Sequence, residues 1–292
     1  IKSNPNKSFL IICNTIKQSQ EIAASINTGE DVEESVIYLS SSILPIRRVQ
    51  IIQKIKAGIK YNQRQIIVAT QVVEAGVDID LDIVYRDFAP LDSINQSAGR
   101  CNRNGGKSRG TVKLFNSDKA KYIYDATLLD ITQRVLNEFS RIILEKEFYK
   151  LNQRYFTEVR NAVSDQSPIA NQLLLYMRTL QLEKLDKEFE LIKQERRHYD
   201  VFVPFEPAAE ALWIEYTGLQ RAKGDRWERK RAIKRLRPKL LQYVTRFPRD
   251  KNYEPDPKDK DKPLILVNDW QKYYDLEYGF KLEKDEPQSA FF

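Results

Sequence analysis

Gln96, Arg100 and Arg103 stand at i, i+4 and i+7. A single helix from Asp92, as its cap, to about Arg103 would place all three on one face. Gly99 between them omits a side chain, so another backbone can approach closely. Two guanidiniums and an amide on one face are costly to bury unpaired. They suit a phosphate, which arginine grips through two parallel hydrogen bonds. Taken alone, an R-x-x-R pair is better read as a solvated basic helix end with salt bridges.

Other reactive residue types carry less. Asp78, Asp80 and Asp82 alternate as a cation loop would, but that template needs glycine where Ile83 stands and an acid where Ala89 stands, so no metal site is expected. His198 is the sole histidine; it cannot build a His-rich metal centre, and no G-x-S-x-G accompanies it. Cys13 and Cys101 are far apart and outside any C-x-x-C, which excludes a disulfide framework or cysteine zinc site and fits a reducing cytoplasm. Gly106-Lys107-Ser108 ends like a phosphate-binding loop, yet Cys101 occupies its first glycine position, and it follows a helix and precedes a strand, the reverse of the required order. It reads as a turn. The sequence contains no other G-x-x-x-x-G-K-[ST] and no DEAD- or DEAH-type box.

The elements that must position these groups follow from periodicity. Short apolar runs (8–13, 36–39, 65–70, 82–87 and 111–115) alternate with helical patterns over 15–26 and 44–59. Strands alternating with helices predict an α/β fold with a parallel sheet covered on both faces. This domain is placed at 1–117. Residues 118–197 are helical and poor in glycine and proline, a helical linker whose stripe of Leu173, Leu174, Met177, Leu180, Leu185 and Phe189 reads as core. A composition change then opens a small α+β domain at 198–292.

The 292 residues carry 48 basic and 41 acidic side chains, a net +7, with 41% hydrophobic and 30% charged residues. That excludes wholesale disorder and suggests an anionic partner. Apolar runs such as 9–13 are far too short for the roughly 20 residues of a membrane span, and no signal peptide is evident. The chain starts at Ile1 rather than Met and reaches a strand within eight residues, as a segment of something longer would.

Residues 66–104 resemble motifs V and VI of superfamily 2 helicases, nucleic-acid motors built from two RecA-like domains. ATQVVEAGVDID matches motif V, and Gln96-Ser-Ala-Gly-Arg100-Cys-Asn-Arg103 matches the QxxGRxxR of motif VI. SFLIICNTIKQSQEI, in which Asn14 and Thr15 follow a strand, resembles the motif IV region of the CRISPR-associated helicase of type I systems. YLSSSILPIRRVQIIQKI resembles its His-Ser-Arg-Phe segment, with Ser40 and Ser42 standing where His and Arg are usual. The resemblance is specific over 8–116 and loose over 198–292.

The resemblance implies a second RecA-like domain with Gln96, Arg100 and Arg103 in the catalytic machinery. The two arginines would act as fingers on the terminal phosphate of ATP held by a first RecA-like domain. Such an arginine contributes about 10³–10⁵ in rate. Gly76 and Asp78 would face the nucleotide, Thr70 would bond the nucleic-acid backbone, and Asn14 and Thr15 would hold phosphates. The family uses ATP and Mg²⁺, moves 3′ to 5′ on single-stranded DNA, works with an HD nuclease in the same or a separate chain, and is recruited by a guide-RNA surveillance complex. One histidine cannot supply an HD site, so the nuclease is not expected in this chain. Without a phosphate loop, the chain alone is not expected to hydrolyse ATP. Other readings are a restriction-type translocase, an RNA helicase, or a module that only binds DNA or a partner.

Residues 221–239 hold ten basic side chains against Asp225 and Glu228, a net +8 that exceeds the whole chain's. Arg226, Arg229 and Lys230 are candidate phosphate contacts over a DNA channel; a dock for an acidic partner or a plain solvated face are the alternatives. Pro238 is expected to break this helix. Trp213 and Trp227 read as core anchors.

Overall fold

Four consecutive apolar residues form the first strand, β1 (Phe9–Ile12), and all four are buried. An element apolar on every residue must be covered on both faces. It is the middle of a five-stranded, wholly parallel sheet of order β2-β3-β1-β4-β5, with β2 Ile37–Leu39, β3 Ile66–Ala69, β4 Ile83–Asp87 and β5 Thr111–Phe115. The α/β class with a RecA-like sheet is thus the observed one. This computed structural model describes residues 1, 3–28, 35–74, 77–103, 105, 110–162, 168–189, 198–248, 253–256, 258–259 and 262–281.

Helices α1 (Ile16–Asn27), α2 (Pro45–Lys60) and α3 (Leu91–Ala98) cross between strands. Thr15 caps α1, its hydroxyl accepting from the Gln18 N–H at 3.2 Å. Pro45 starts α2, where its missing N–H costs nothing. Leu10, Ile12, Leu39, Ile67, Ala69 and Val84 pack with Ile55 of α2 on one face of the sheet.

Backbone contacts divide the chain into two units. The first joins 1–88 and 92–123 to 197–292. In that last segment β6 (His198–Phe202) lies between β7 (Val244–Pro248) and β8 (Ile265–Leu266), antiparallel to the first and parallel to the second. Two helices, α8 (Pro207–Arg221) and α9 (Arg226–Leu240), connect β6 to β7. Beyond β8 come a short helix, α10 (Trp270–Tyr273), and a small hairpin, β9 (Tyr274–Asp275) with β10 (Gly279–Phe280). Pro238 lies inside α9, two positions before its last residue, and does not break it. Its fixed φ suits a helix, and the one hydrogen bond it cannot make falls in the last turn, which the buried Leu236 and Leu240 hold on either side of it.

The hairpin fastens this segment to the parallel-sheet region. Tyr274 accepts the Leu44 N–H through its hydroxyl at 2.7 Å, and Gln20 donates to the carbonyls of Tyr278 and Phe280 at 2.9 and 3.0 Å. Ser40 and Ser42 are buried and bonded to each other at 2.7 Å. Their small size leaves room for Gly279, whose φ is +81° and where an added Cβ would come within 2.3 Å of the Ser42 hydroxyl. Gly279→Ala is therefore expected to destabilise the chain by about 2–4 kcal/mol, combining left-handed strain with overpacking. A drop in the urea midpoint at constant m-value would measure it; an unchanged midpoint would refute the close approach.

The second unit comprises 89–91 and 124–196. Asp125 caps α4 (Ala126–Asn137), which pairs with α5 (Phe148–Ala162) around buried Ile131, Val135, Leu151 and Tyr155. Arg154 bridges Glu138 at 2.8 Å and Glu158 at 2.5 Å. Over α6 (Pro168–Arg178) and α7 (Leu182–Glu188), the apolar stripe expected to be core is mostly solvent-facing: Leu174, Met177, Leu180 and Phe189 are exposed and Leu173 and Leu185 half-buried, while the buried side chain there is Tyr176, outside the stripe. Periodicity gave the helices, but two short helices offer too little surface to cover a full stripe. Among the described residues no helix is long and apolar enough to cross a membrane.

Candidate functional site

The chain leaves β1 toward the β2–β3 side and returns to β4 on its other flank, so the loops after β1, β3 and β4 meet at the sheet's carboxyl edge. Such switch points are where open α/β sheets place ligands. Asn14, just past β1, is fully buried. Its amide donates to the Phe88 carbonyl at 2.7 Å, its side-chain oxygen accepts from Arg86 at 2.7 Å, and its backbone carbonyl accepts from Gln71 at 3.0 Å. Thr15 caps α1 and is 6% exposed; Thr70, past β3, is 3% exposed. All three were expected to meet a nucleic-acid backbone. The structure encloses them, because each sits where a strand ends inside the packed layers, and the side chains of Asn14 and Thr15 are occupied holding loops and a helix end.

Helix α3 ends at Ala98, five residues short of the expected Arg103, and Asp92 lies in its first turn rather than at the cap. Beyond Ala98 the chain goes on in turns, the Arg100 and Cys101 N–H groups donating to the Ser97 and Ala98 carbonyls at 3.0 Å; Cys101 then bridges Leu81, whose N–H donates to the Arg100 carbonyl at 3.0 Å, and Asn102 has a φ of +52°. Gln96, Arg100 and Arg103 therefore do not share one regular helix; Gln96 is exposed on α3, and the arginines leave from the turns beyond it. They still meet motif V. Arg100 donates from Nη2 to the Glu74 carbonyl at 2.6 Å. Its Nε is enclosed with no partner. Burial and the nearby Arg103 charge push the Arg100 pKa down from its ordinary value, with Asp78 and Glu74 opposing. An anion there would relieve that imbalance.

Arg103 pairs with Asp78 at 2.7 Å, and both side chains are well exposed, so the pair is worth at most about 1 kcal/mol and can exchange. Asp80 accepts the Arg103 N–H at 2.9 Å, while Asp82 accepts the Ser8 N–H at 2.8 Å. The three alternating aspartates are thus used separately, and no group of three His, Cys, Asp or Glu that could hold a metal occurs among the described residues. Gly76, a candidate nucleotide contact, and Gly106-Lys107-Ser108, read as a turn, lie outside the described residues.

Arg86 and Glu74 were not anticipated. Arg86 on β4 is fully buried. Its Nε lies 3.0 Å from a Glu74 carboxylate oxygen, Nη1 donates to Asn14 and to the Asp87 carbonyl, and Nη2 donates to Ser93 at 2.9 Å. Ser93 and Ser97 of α3 donate to the two Glu74 oxygens at 2.8 and 3.1 Å. Burial pushes the Glu74 carboxyl up, and the Arg86 charge and the two serines pull it back down. One polar cluster thereby joins the loops of β1 and β3, strand β4 and helix α3, and it fixes the residue whose carbonyl receives Arg100. The signal was an arginine set within the apolar run DIVYRD.

On α9, Leu236 and Leu240 are buried with Phe202, Ala209 and Tyr243, while Arg226 and Lys230 are exposed and Arg229 is half-buried. Trp213 packs 5.0 Å from Phe202, centroid to centroid, as a core residue. Trp227 does not: it is 67% exposed.

Residues 5–106 match the sequence profile of the family described as CRISPR-associated nuclease/helicase Cas3, C-terminal. The chain is similar to the CRISPR-associated nuclease/helicase Cas3 of Methanothermobacter thermautotrophicus, 27% identical over 165 residues, which are 54% of this chain and 19% of that protein. It is also similar to that of Streptococcus thermophilus, 31% identical over 150 residues, 45% of this chain and 16% of that protein. Each match thus spans under a fifth of its relative's length. The crystal structure of T. fusca Cas3 shares the fold at a TM-score of 0.56 and 17% identity, covering 91% of this chain and 37% of that one.

Proposed function

With residues 5–106 matching the family described as CRISPR-associated nuclease/helicase Cas3, C-terminal, we propose that this chain is the C-terminal half of an ATP-dependent single-stranded DNA helicase or translocase of type I CRISPR defence, acting in the cytoplasm. The observation that carries it is Arg100, moored to motif V through Glu74 with one enclosed guanidinium nitrogen left unpartnered. A terminal phosphate is the acceptor that geometry lacks. Arg103 supplies a second donor once it exchanges its exposed Asp78 partner for the phosphate. ATP bound by a first RecA-like domain outside this chain would supply the reacting phosphoryl group; Mg²⁺, for which the described residues offer no cluster, would be held there too.

The division of labour follows from burial. The loops after β1 and β3 hold the site rigid, and phosphate contacts with DNA fall to Arg226, Arg229 and Lys230 on α9. An HD nuclease, in the same or a separate chain, and a guide-RNA surveillance complex complete the assembly. The intact protein is expected to hydrolyse ATP faster with single-stranded DNA than with RNA of the same length, and purified 1–292 to show no turnover. Stimulation by RNA alone would transfer the chain to another class of superfamily 2 motor, and turnover by 1–292 would remove the need for a second domain.

A further inference from the structure

Nine residues separate Trp227 from Leu236, which is two and a half helical turns, so the indole projects opposite the buried stripe of α9. Asp225 caps the helix by accepting the Trp227 N–H at 2.8 Å, which fixes the backbone under that side chain. Arg231 and Lys234 follow at i+4 and i+7, on the same outward stripe, at steps of about 6 and 10 Å along the axis. Lys230 sits beside them with its ammonium 5.3 Å from the indole centroid. None of the basic side chains of α9 is in an ion pair among the described residues. The other two tryptophans pack into hydrophobic clusters, Trp213 against Phe202 and Trp270 beside the cluster of Tyr274 and Phe280.

A large aromatic held outward on a fixed helix turn, in a row of uncompensated cations, has a specific complement. We propose that Trp227, with Lys230, Arg231 and Lys234, forms a single-strand platform: one nucleobase stacks on the indole and the following phosphates lie along the basic row. The proposal rests on the single-stranded DNA reading above and adds to it the stacking residue and the order of the phosphate contacts along α9. Bases in a duplex are already stacked and cannot offer a free face to a side chain. An acidic polypeptide would satisfy the cations and leave the indole without a partner.

The test is fluorescence anisotropy of purified 1–292 with a labelled oligo-dT, at several salt concentrations, competed with unlabelled duplex DNA or polyglutamate. Trp227→Ala is expected to weaken oligo-dT binding about 5- to 100-fold, the range for loss of one base stack. Its salt slope should stay the same, and Trp227→Phe should keep most of the affinity. Lys234→Ala and Arg231→Ala together should flatten the salt slope by about 1.4. Intrinsic fluorescence gives a second readout: oligo-dT should quench the wild-type emission and not that of Trp227→Phe. Wild-type affinity in Trp227→Ala, with the flattened slope in the charge variant, would overturn the stacking platform and leave the nucleic-acid reading standing. Preference for duplex would likewise overturn the single-strand assignment. Polyglutamate binding without oligo-dT binding would overturn both and make α9 a dock for an acidic protein.

Discussion

Arg100→Ala, made in the intact motor, is expected to lower ATP turnover by about 10³-fold or more, the range for loss of an arginine finger, while single-stranded DNA binding changes little. The separation follows from where the groups stand. Arg100 is moored at the sheet's carboxyl edge by the Glu74 carbonyl, and the cations assigned to DNA lie on α9. Arg100→Lys should recover little, because an ammonium on a flexible stem cannot hold the carbonyl and a phosphate in one fixed plane as guanidinium does. Arg103→Ala should be milder, since Arg103 rests in an exposed pair with Asp78 and must exchange partners before it can act. Single-turnover hydrolysis with saturating oligo-dT, beside anisotropy on the same preparations, would measure both effects. Equal loss of hydrolysis and binding would contradict a finger role for Arg100.

Why Arg100 and Arg103 were legible in the sequence, and their geometry was not, comes down to one turn. The spacing in QSAGRCNR is also a helical spacing, so the sequence alone predicts a helix through it. The chain instead leaves α3 at Ala98 because Leu81 captures Cys101 and its neighbours in a bridge, a tertiary pairing with no local signature. The parallel sheet was legible because its inner strands β1 and β3 are apolar on every residue, and that pattern survives any packing. Exposure was not. Trp227 and the α6–α7 stripe read as core from residue type, yet Trp227 and most of the stripe are exposed. Likewise Asn14, Thr15 and Thr70 occupy the right loops, yet only coordinates show how deep those loops lie.

The second large effect lies in the cluster that moors Arg100. Arg86→Met is expected to destabilise the chain by about 3–5 kcal/mol, the cost of removing one partner of a buried ion pair and leaving the other uncompensated. Glu74 would be that orphan: it is 8% exposed, and burial already pushes its carboxyl up. Glu74→Met alone should be as costly, because Arg86 is 0% exposed and Ser93 and Ser97 would lose their acceptor. The double variant should cost well under the sum, since an apolar pair of similar volume restores a packed, uncharged interior. Asn14 would still lose its Arg86 donor, so recovery should stop short of wild type. Urea denaturation of all four proteins closes the cycle, with an expected coupling of about 2 kcal/mol or more. Additive losses would mean that the pair is not coupled, and that the Glu74 carbonyl reaches Arg100 without help from strand β4. If the coupling holds, Arg86→Met in the intact motor, assayed below its unfolding transition, should lose ATP turnover more than single-stranded DNA binding. A mere loss of folded protein would lower the two together, so the ratio between them distinguishes a mooring from a brace.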